Sequence, residues 1–368
     1  MRNTYALVNL KYLKDNIKNI IDNYNYEYYF GVVKANCYGH GFETIRTMDE
    51  AGINYFCVAM LEEALEVRKY TKKPILCFGY VSLDDIELVI KNNITLSVIS
   101  YDYYKELLSI NPKIKVHIKI NSGMNRFGIK DKEELLEIVN TLNSSNIEIE
   151  GIYTHLATSG VNDHFYDKQI ANFKEITSNI NLKDIKIVHI FNSLGLARHK
   201  RLPFTNGVRL GLMMYGFTYK ISLSKISQIK KKILNSNISP TLLTNNLDLK
   251  KVLSLHSEVI NINKVQRGEF VGYGAKYIVK ENGFIATISI GHADGITNSY
   301  KYVMINNKKY NIVAVCMDYI MASVDENVKV HDKVDIINDE LSISKIATND
   351  SPHHLLVSIS DRVKRKYI

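Results

Sequence analysis

The chain has 368 residues, 46% hydrophobic and 23% charged, enough for two domains or for a large barrel with a smaller module. With only 19 Gly and 5 Pro, collagen-like and long disordered tracts are excluded, and the longest apolar runs, Tyr28–Val33 and Ile185–Phe191, are strand-sized, too short to cross a membrane. The formal charge of +9 comes from scattered lysines rather than a basic face interleaved with aromatics, so no nucleic-acid partner is expected, while attraction for small anions is.

The first ten residues lack the apolar core of a signal peptide, so a cytoplasmic protein with no membrane partner is expected. From residue 28 onward, short β-branched or aromatic runs alternate with amphipathic stretches. The runs are Tyr28–Lys34, Tyr55–Val58, Ile75–Phe78, Thr95–Ile99, Lys115–Ile120, Ile147–Thr154, Lys186–Phe191 and Gly207–Leu210. Between them, Leu61, Ala64, Leu65 and Arg68 mark one helix. Leu135, Leu136 and Val139 mark another, behind an Asp131…Glu134 capping pair, and Ser82…Asp85 is a second box-like start. Eight βα units predict an α/β fold, a (β/α)8 TIM-type barrel over residues 1–245, with residues 1–10 open to assignment to either domain. A doubly wound sheet is the alternative, disfavoured by the even strand spacing.

The segment 220–250 is rich in Lys, Ser and Asn and reads as an insertion or linker with one helical stretch at Ile226–Leu234. Past it the texture changes. Val252–Asn261, Glu269–Val279, Phe284–Ile290, Tyr302–Ile305, Lys309–Val315 and Lys329–Ile337 read as strands, with a hairpin turn at Asn306-Asn307. Residues 251–368 are therefore expected to form a mainly-β C-terminal domain. The four cysteines, Cys37, Cys57, Cys77 and Cys316, form no CxxC and match no zinc spacing. Reduced thiols and no metal are expected.

Barrel active sites lie at the C-terminal ends of the strands. Those ends carry Lys34, Lys119, Arg126, His155, Asn192-Ser193 and Arg209, a set of cations and neutral donors without a carboxylate, suited to an anion such as phosphate. A lysine at a strand end among apolar neighbours is a candidate Schiff-base residue, because burial lowers its pKa and frees the amine for a carbonyl.

The run Val33-Lys34-Ala35-Asn36-Cys37-Tyr38-Gly39-His40-Gly41 resembles the pyridoxal phosphate-binding signature of the alanine racemases. The resemblance continues, in order, in Asn121–Gly128, His189–Ala197, Arg209–Gly216, Val271–Tyr277, Gly291-His-Ala-Asp-Gly295 and Cys316-Met317-Asp318, and so covers nearly the whole chain. It implies a barrel followed by a β-domain, as read independently above, and an amino-acid racemase that supplies D-alanine for peptidoglycan. It implies pyridoxal 5'-phosphate held by Lys34, which also serves as one catalytic base, and Tyr273 as the second base on the opposite face. Tyr38, Asn192, Ser193 and the backbone of Gly211 and Leu212 are implied at the phosphate, with Arg209 at the pyridine nitrogen and His155 behind it. Arg126, Met317 and Asp318 are implied at the amino-acid substrate. Lys119 matches a lysine often carbamylated in this family, and a homodimer with shared active sites is implied as well. Two bases on opposite faces can remove and return a Cα proton without moving the substrate, and the neighbouring Arg126 cation would ease ionisation of a phenol whose ordinary pKa is about 10.

The sequence departs from the family where His292 stands at a usual tyrosine in the Gly-x-Ala-Asp-Gly motif, and where Asp361 stands at a usual tyrosine near the C-terminus. A carboxylate cannot donate to phosphate, so Asp361 is expected to pair with Arg362 or Arg365, to point into the substrate pocket or to be protonated. The departures leave serine, lysine or a broad range as alternative substrates to alanine. Other readings are a barrel-type pyridoxal phosphate decarboxylase, for which no cysteine motif is seen, a cofactor-carrier protein, which would lack the β-domain, and a cofactor-free isomerase.

Overall fold

The computed structural model describes residues 2–159, 164–217, 247–338 and 351–368. The helical stretch expected at Ile226–Leu234 and most of the 220–250 segment lie outside the described residues. The first strand, β1 (Tyr5–Val8), precedes eight parallel strands that close into a barrel: β2 (Tyr28–Val32), β3 (Tyr55–Val58), β4 (Ile75–Cys77), β5 (Ile94–Val98), β6 (Lys115–Ile120), β7 (Glu148–Thr154), β8 (Ile187–Asn192) and β9 (Gly207–Leu210). The ring closes where β2 pairs with β9, with Phe30 opposite Arg209. Each strand matches one of the eight expected runs to within two residues at either end. Strands β3, β4 and β5 are buried along their whole length, because helices cover the outer face and side chains fill the inner one.

The helices form where the pattern places them. Leu61–Arg68 buries Leu61, Ala64 and Val67 on one stripe. Lys132–Leu142 is capped by Asp131, whose Oδ1 accepts from the amides of Glu133 and Glu134 at 2.8 and 3.0 Å. Ser82 likewise caps a short turn at Leu83–Asp85 that runs on into the helix Ile86–Lys91.

Strand β10 (Leu253–Val265) is the spine of the second architecture. Its first half pairs with β1 and β17 (Lys333–Ile337); after an irregularity at Val259–Asn261 its second half pairs with β13 (Gly283–Ile288). The bulge bends the strand so that one element serves both sides. With β14 (Tyr302–Ile305), β15 (Lys308–Val315), β16 (Ile320–Val324) and β18 (Lys364–Tyr367), the order is β13-β16-β15-β14-β17-β10-β1-β18. The hairpin at Asn306-Asn307 forms with both residues at positive φ, 51° and 61°, the signature of a type I′ turn.

Four features correct the sequence reading. The stretch Glu269–Val279 is two short strands, β11 (Phe270–Val271) and β12 (Tyr277–Ile278), flanking a 3-10 turn at Tyr273–Ala275, because Gly272 and Gly274 at φ 75° and 70° break the extended run. Strand β17 starts four residues later than Lys329, after a turn in which His331 takes φ 75°. Strand β16, absent from the expected runs, alternates buried with half-buried residues. Strand β18, Lys-Arg-Lys-Tyr, is a charged edge strand, of the kind that discourages further pairing. The N-terminal β1 sits inside the β-sheet, between β10 and β18. Among the described residues no helix is long and apolar enough to cross a membrane, and all four cysteines are free, three of them buried.

Candidate active site

The strand ends of the barrel open into a cavity of about 490 Å³ lined by Lys34, Tyr38, Lys119, Arg126, Tyr153, His155, Asn192, Ser193, Arg209, Gly211, Leu212 and His353, among others. All ten barrel residues picked out from the sequence are brought together there. No Asp or Glu is among the residues lining it.

Lys34 stands two residues past the end of β2 and opens a left-handed turn. Ala35, Asn36, Cys37 and Tyr38 have φ of 51°, 53°, 55° and 52°, and Gly39 follows at 78°. Four consecutive non-glycine residues in this region cost on the order of 1–2 kcal/mol each, so the surroundings must impose the turn. Glu63 does part of this: its carboxylate accepts from the amide of Ala35 at 2.7 Å and from that of Ala59 at 2.8 Å. The turn brings Lys34 and Tyr38 to the same cavity wall. From outside, the helix Pro352–Val357 presses on Gly39, where a Cβ would stand 2.1 Å from the carbonyl oxygen of Leu356. Gly39→Ala is therefore expected to destabilise the chain by about 3 kcal/mol or more, read as a lower denaturation midpoint in urea with an unchanged slope.

The electrostatics are one-sided. Burial, then the Arg126 cation, pulls the Lys34 ammonium below its ordinary value; the side chain is accessible, but its surface opens on the cavity. Lys119 is buried, its Nζ 4.4 Å from the Tyr153 ring centroid, and burial followed by Arg209 and Arg126 pushes it well below the ordinary lysine range. His155 is likewise held neutral by burial and the Arg209 cation. Arg126 sits on the tight Asn121–Gly128 loop, in which Asn121 Oδ1 accepts from the amides of Gly123 and Asn125 at 3.2 and 2.9 Å. It faces the cavity with no carboxylate partner among the described residues.

Arg209 is 3% exposed. Its Nη1 donates to Nδ1 and the carbonyl of His189 at 2.8 and 3.0 Å. Its Nη2 donates to the carbonyls of Thr154 and Ile190 at 2.8 and 2.7 Å, with His155 Nδ1 at 3.4 Å. Burial lowers its pKa to about 10, so it stays charged at neutral pH. All four terminal N–H groups are thus committed. The remaining Nε–H has no acceptor among the described residues and is not one of their fully buried unpartnered atoms, which leaves it open to a ligand in the cavity. Beside it, where Asn192 of β8 pairs with Arg209 of β9, Ser193 Oγ accepts from the amide of Gly211 at 2.8 Å, keeping its own proton to donate. Asn192 is held by the Gly195 amide at 2.9 Å.

Residues from the β-domain behave differently. Tyr273 is 82% exposed and Met317 is 62% exposed. Asp318 pairs with Arg362 at 2.8 Å. None of the three lines the cavity of their own chain. His292 Nδ1 donates to the carbonyl of Ile296, 2.8 Å away, in a turn that packs on Cys316 and Met317 through backbone bonds. Asp361 is exposed and lies 3.9 Å from Arg365, outside the cavity, so the surface pairing, one of its three expected fates, is the one observed. Sequence reasoning missed His353, whose ring lies 5.7 Å from that of Tyr38, and Glu63; no motif marks either.

The N-terminal domain model of alanine racemase matches residues 8–219, and the C-terminal domain model matches residues 252–367. An alanine racemase of Listeria monocytogenes serotype 4b is 31% identical over 386 aligned positions, covering 100% of this chain and 98% of the relative. The solved alanine racemase of Clostridium difficile 630 superposes with a TM-score of 0.86 at 30% identity, covering 100% of this chain and 96% of that one. That of Bacillus anthracis, solved with bound L-Ala-P, gives 0.84 at 31%, covering 100% and 95%. With both domain models matched in order over a barrel and a β-domain of the same fold, the chain belongs to the alanine racemase family.

Proposed function

We propose that this chain is a pyridoxal 5'-phosphate-dependent racemase that interconverts L- and D-alanine by a two-base mechanism and works as a cytoplasmic homodimer whose product supplies peptidoglycan. One observation carries the cofactor: a cavity with two arginines, two lysines and no acid, in which a buried arginine keeps a single N–H unspent. That donor set suits a phosphorylated pyridine. Lys34 would hold the group, Tyr38, Ser193 and Leu212 would meet its phosphate, with Asn192 and Gly211 beside them, and Arg209 Nε would meet its ring nitrogen, with His155 behind. When bound, the cofactor supplies an electron sink for charge developing at Cα.

The chain's own groups do the rest. Lys34, with its depressed pKa, is suited to take or return a proton on one face at neutral pH. Arg126 is suited to the substrate carboxylate. An arginine at the ring nitrogen stays protonated and cannot accept a proton from the ring, which limits charge spread into the ring and disfavours side reactions such as transamination. The second base, Tyr273, together with Met317 and Asp318, would come from the other subunit of a head-to-tail pair. Their exposure in one chain supports that reading.

Lys119 is suited to carbamylation, since a neutral amine is the form that adds carbon dioxide. The resulting anion would balance Arg126. A protein equilibrated with ¹³C-bicarbonate is expected to give a carbamate carbon resonance that disappears in Lys119→Ala; its persistence would place the carbamate elsewhere.

The test of the activity is a chiral assay of the purified protein with L-alanine, L-serine and L-lysine. Racemisation of alanine with kcat/KM at least about tenfold above that of the others, ~1.4 kcal/mol of discrimination, is the expected result. A preference for serine or lysine would assign the chain to another branch of the family, and no racemisation of any would refute the reading.

A further inference from the structure

Below the cavity, a line of polar side chains runs through the barrel. Arg209 Nη1 is 2.8 Å from His189 Nδ1. His189 Nε2 is 2.9 Å from His117 Nδ1. His117 Nε2 faces Glu150 Oε2 at 3.6 Å, an ion–dipole contact slightly beyond hydrogen-bond length, and has no other partner. Glu150 accepts from Tyr55 at 2.7 Å, from Lys115 at 3.2 Å and from Lys186 at 3.1 Å. Both histidines are fully buried and Glu150 is 2% exposed.

The local structure is built for this line. Glu150 is the extra residue of a β-bulge: Val116 and His117 pair with Ile149 and Gly151 and skip it. Bulges re-aim side chains. Gly151 has no Cβ, and one there would stand 2.5 Å from the His117 ring. His189 stacks on Phe30 at 4.5 Å and on Tyr153 at 4.7 Å, which fixes its ring plane.

The proton order along the line has one solution. Arginine has donors only, so His189 Nδ1 must accept and carry no proton. His189 is then protonated at Nε2 and donates to His117 Nδ1. His117 is in turn protonated at Nε2, facing the carboxylate. A second proton on His189 would set its Nδ1–H against the Arg209 N–H. One on His117 would set two N–H groups head to head. Both rings must be neutral, in agreement with the downward shift that burial gives each. Burial alone would raise the Glu150 pKa, but His117, Tyr55 and Lys186 together hold it well below the ordinary range.

We propose that Glu150 is a positioning residue for the cavity: through two histidines locked in one tautomer it fixes the Arg209 guanidinium from below, so that its Nε–H stays presented to the cavity. The first arm of the test concerns the line itself and needs no cofactor reading. In ¹⁵N-histidine-labelled wild-type protein, two histidines, assigned by loss of signal in His117→Phe and His189→Phe, are expected to show the Nε2–H tautomer. They are expected not to titrate between about pH 6 and 9, where an ordinary imidazole of pKa ~6.5 does. Titration of either, or an Nδ1–H tautomer, overturns the proposal.

The second arm rests on the pyridoxal phosphate reading and uses the holoenzyme. Glu150→Gln keeps the size and one acceptor oxygen but replaces the other with a donor and removes the charge; Glu150→Leu removes the charge and both acceptors. In each, the absorption maximum of the bound chromophore is expected to move, with kcat lowered about tenfold or more and KM within about twofold, and Glu150→Gln the milder. Unchanged spectrum and kcat beside a lowered melting temperature would show that Glu150 is only structural and would overturn the proposal. Should neither variant fold, the wild-type tautomers still decide. Absence of any chromophore in the wild type would defeat the cofactor reading alone, leaving the first arm intact.

Discussion

Lys34→Ala, reduced with borohydride in the presence of pyridoxal 5'-phosphate, is expected to carry no covalent adduct, and its racemisation is expected to fall by ~10³-fold or more. The reason is positional. Lys34 is the lysine at the head of the left-handed turn, and that strained segment aims its amine and the Tyr38 phenol at one wall. The other lysine lining the cavity, Lys119, lies buried against the face of Tyr153, flanked by two arginines. Peptide mapping of the reduced adduct in the wild type checks the assignment; an adduct found on Lys119 or elsewhere in either protein would overturn it. Replacement by Arg rather than Ala should fare no better, since guanidinium does not deprotonate at neutral pH.

Tyr273→Phe is expected to slow proton abstraction from one enantiomer far more than from the other, by about 10²-fold or more, because each base serves one face. Solvent deuterium entering Cα, measured separately from L- and D-alanine, reports this; equal losses would make Tyr273 structural. Its placement leads to a second measurement. Tyr273 is 82% exposed on the short turn between β11 and β12, held there by Gly272 and Gly274. If its partner is the cavity of a second subunit, mixed dimers of Lys34→Ala and Tyr273→Phe chains contain one site with both bases intact. Such heterodimers are expected to recover a substantial part of the activity that each homodimer lacks. No recovery in verified heterodimers would mean that both bases come from one chain.

Much of the barrel was legible in the residues. A fully buried parallel strand must be apolar on both faces, and a run such as Tyr55–Val58 between amphipathic helices has few other folds open to it. The cationic strand ends were legible too, since the barrel places every strand's C-terminus at one mouth. The β-domain was harder to read. Strand β16 carries apolar residues on both faces and the edge strand β18 is mostly charged, so residue type marks neither, and β1 joins a sheet whose other strands lie more than 240 residues away. No local pattern encodes such pairing.

The sequence by itself determined the fold class and the cationic strand ends of the site, because these follow from hydrophobic period and from which residue types stand at strand ends, while Tyr38, Gly211 and Leu212 came through the family resemblance. Tertiary structure alone decided what those residues have around them. It put Asp361 on the surface beside Arg365 and His353 at the cavity wall. It kept Tyr273, Met317 and Asp318 out of their own chain's cavity, and it threaded His189, His117 and Glu150 into one line beneath Arg209. The physical reason is that direction and burial, not identity, set what a polar side chain does: a one-residue bulge turns Glu150 inward, and a missing Cβ at Gly151 makes room for the His117 ring that faces it.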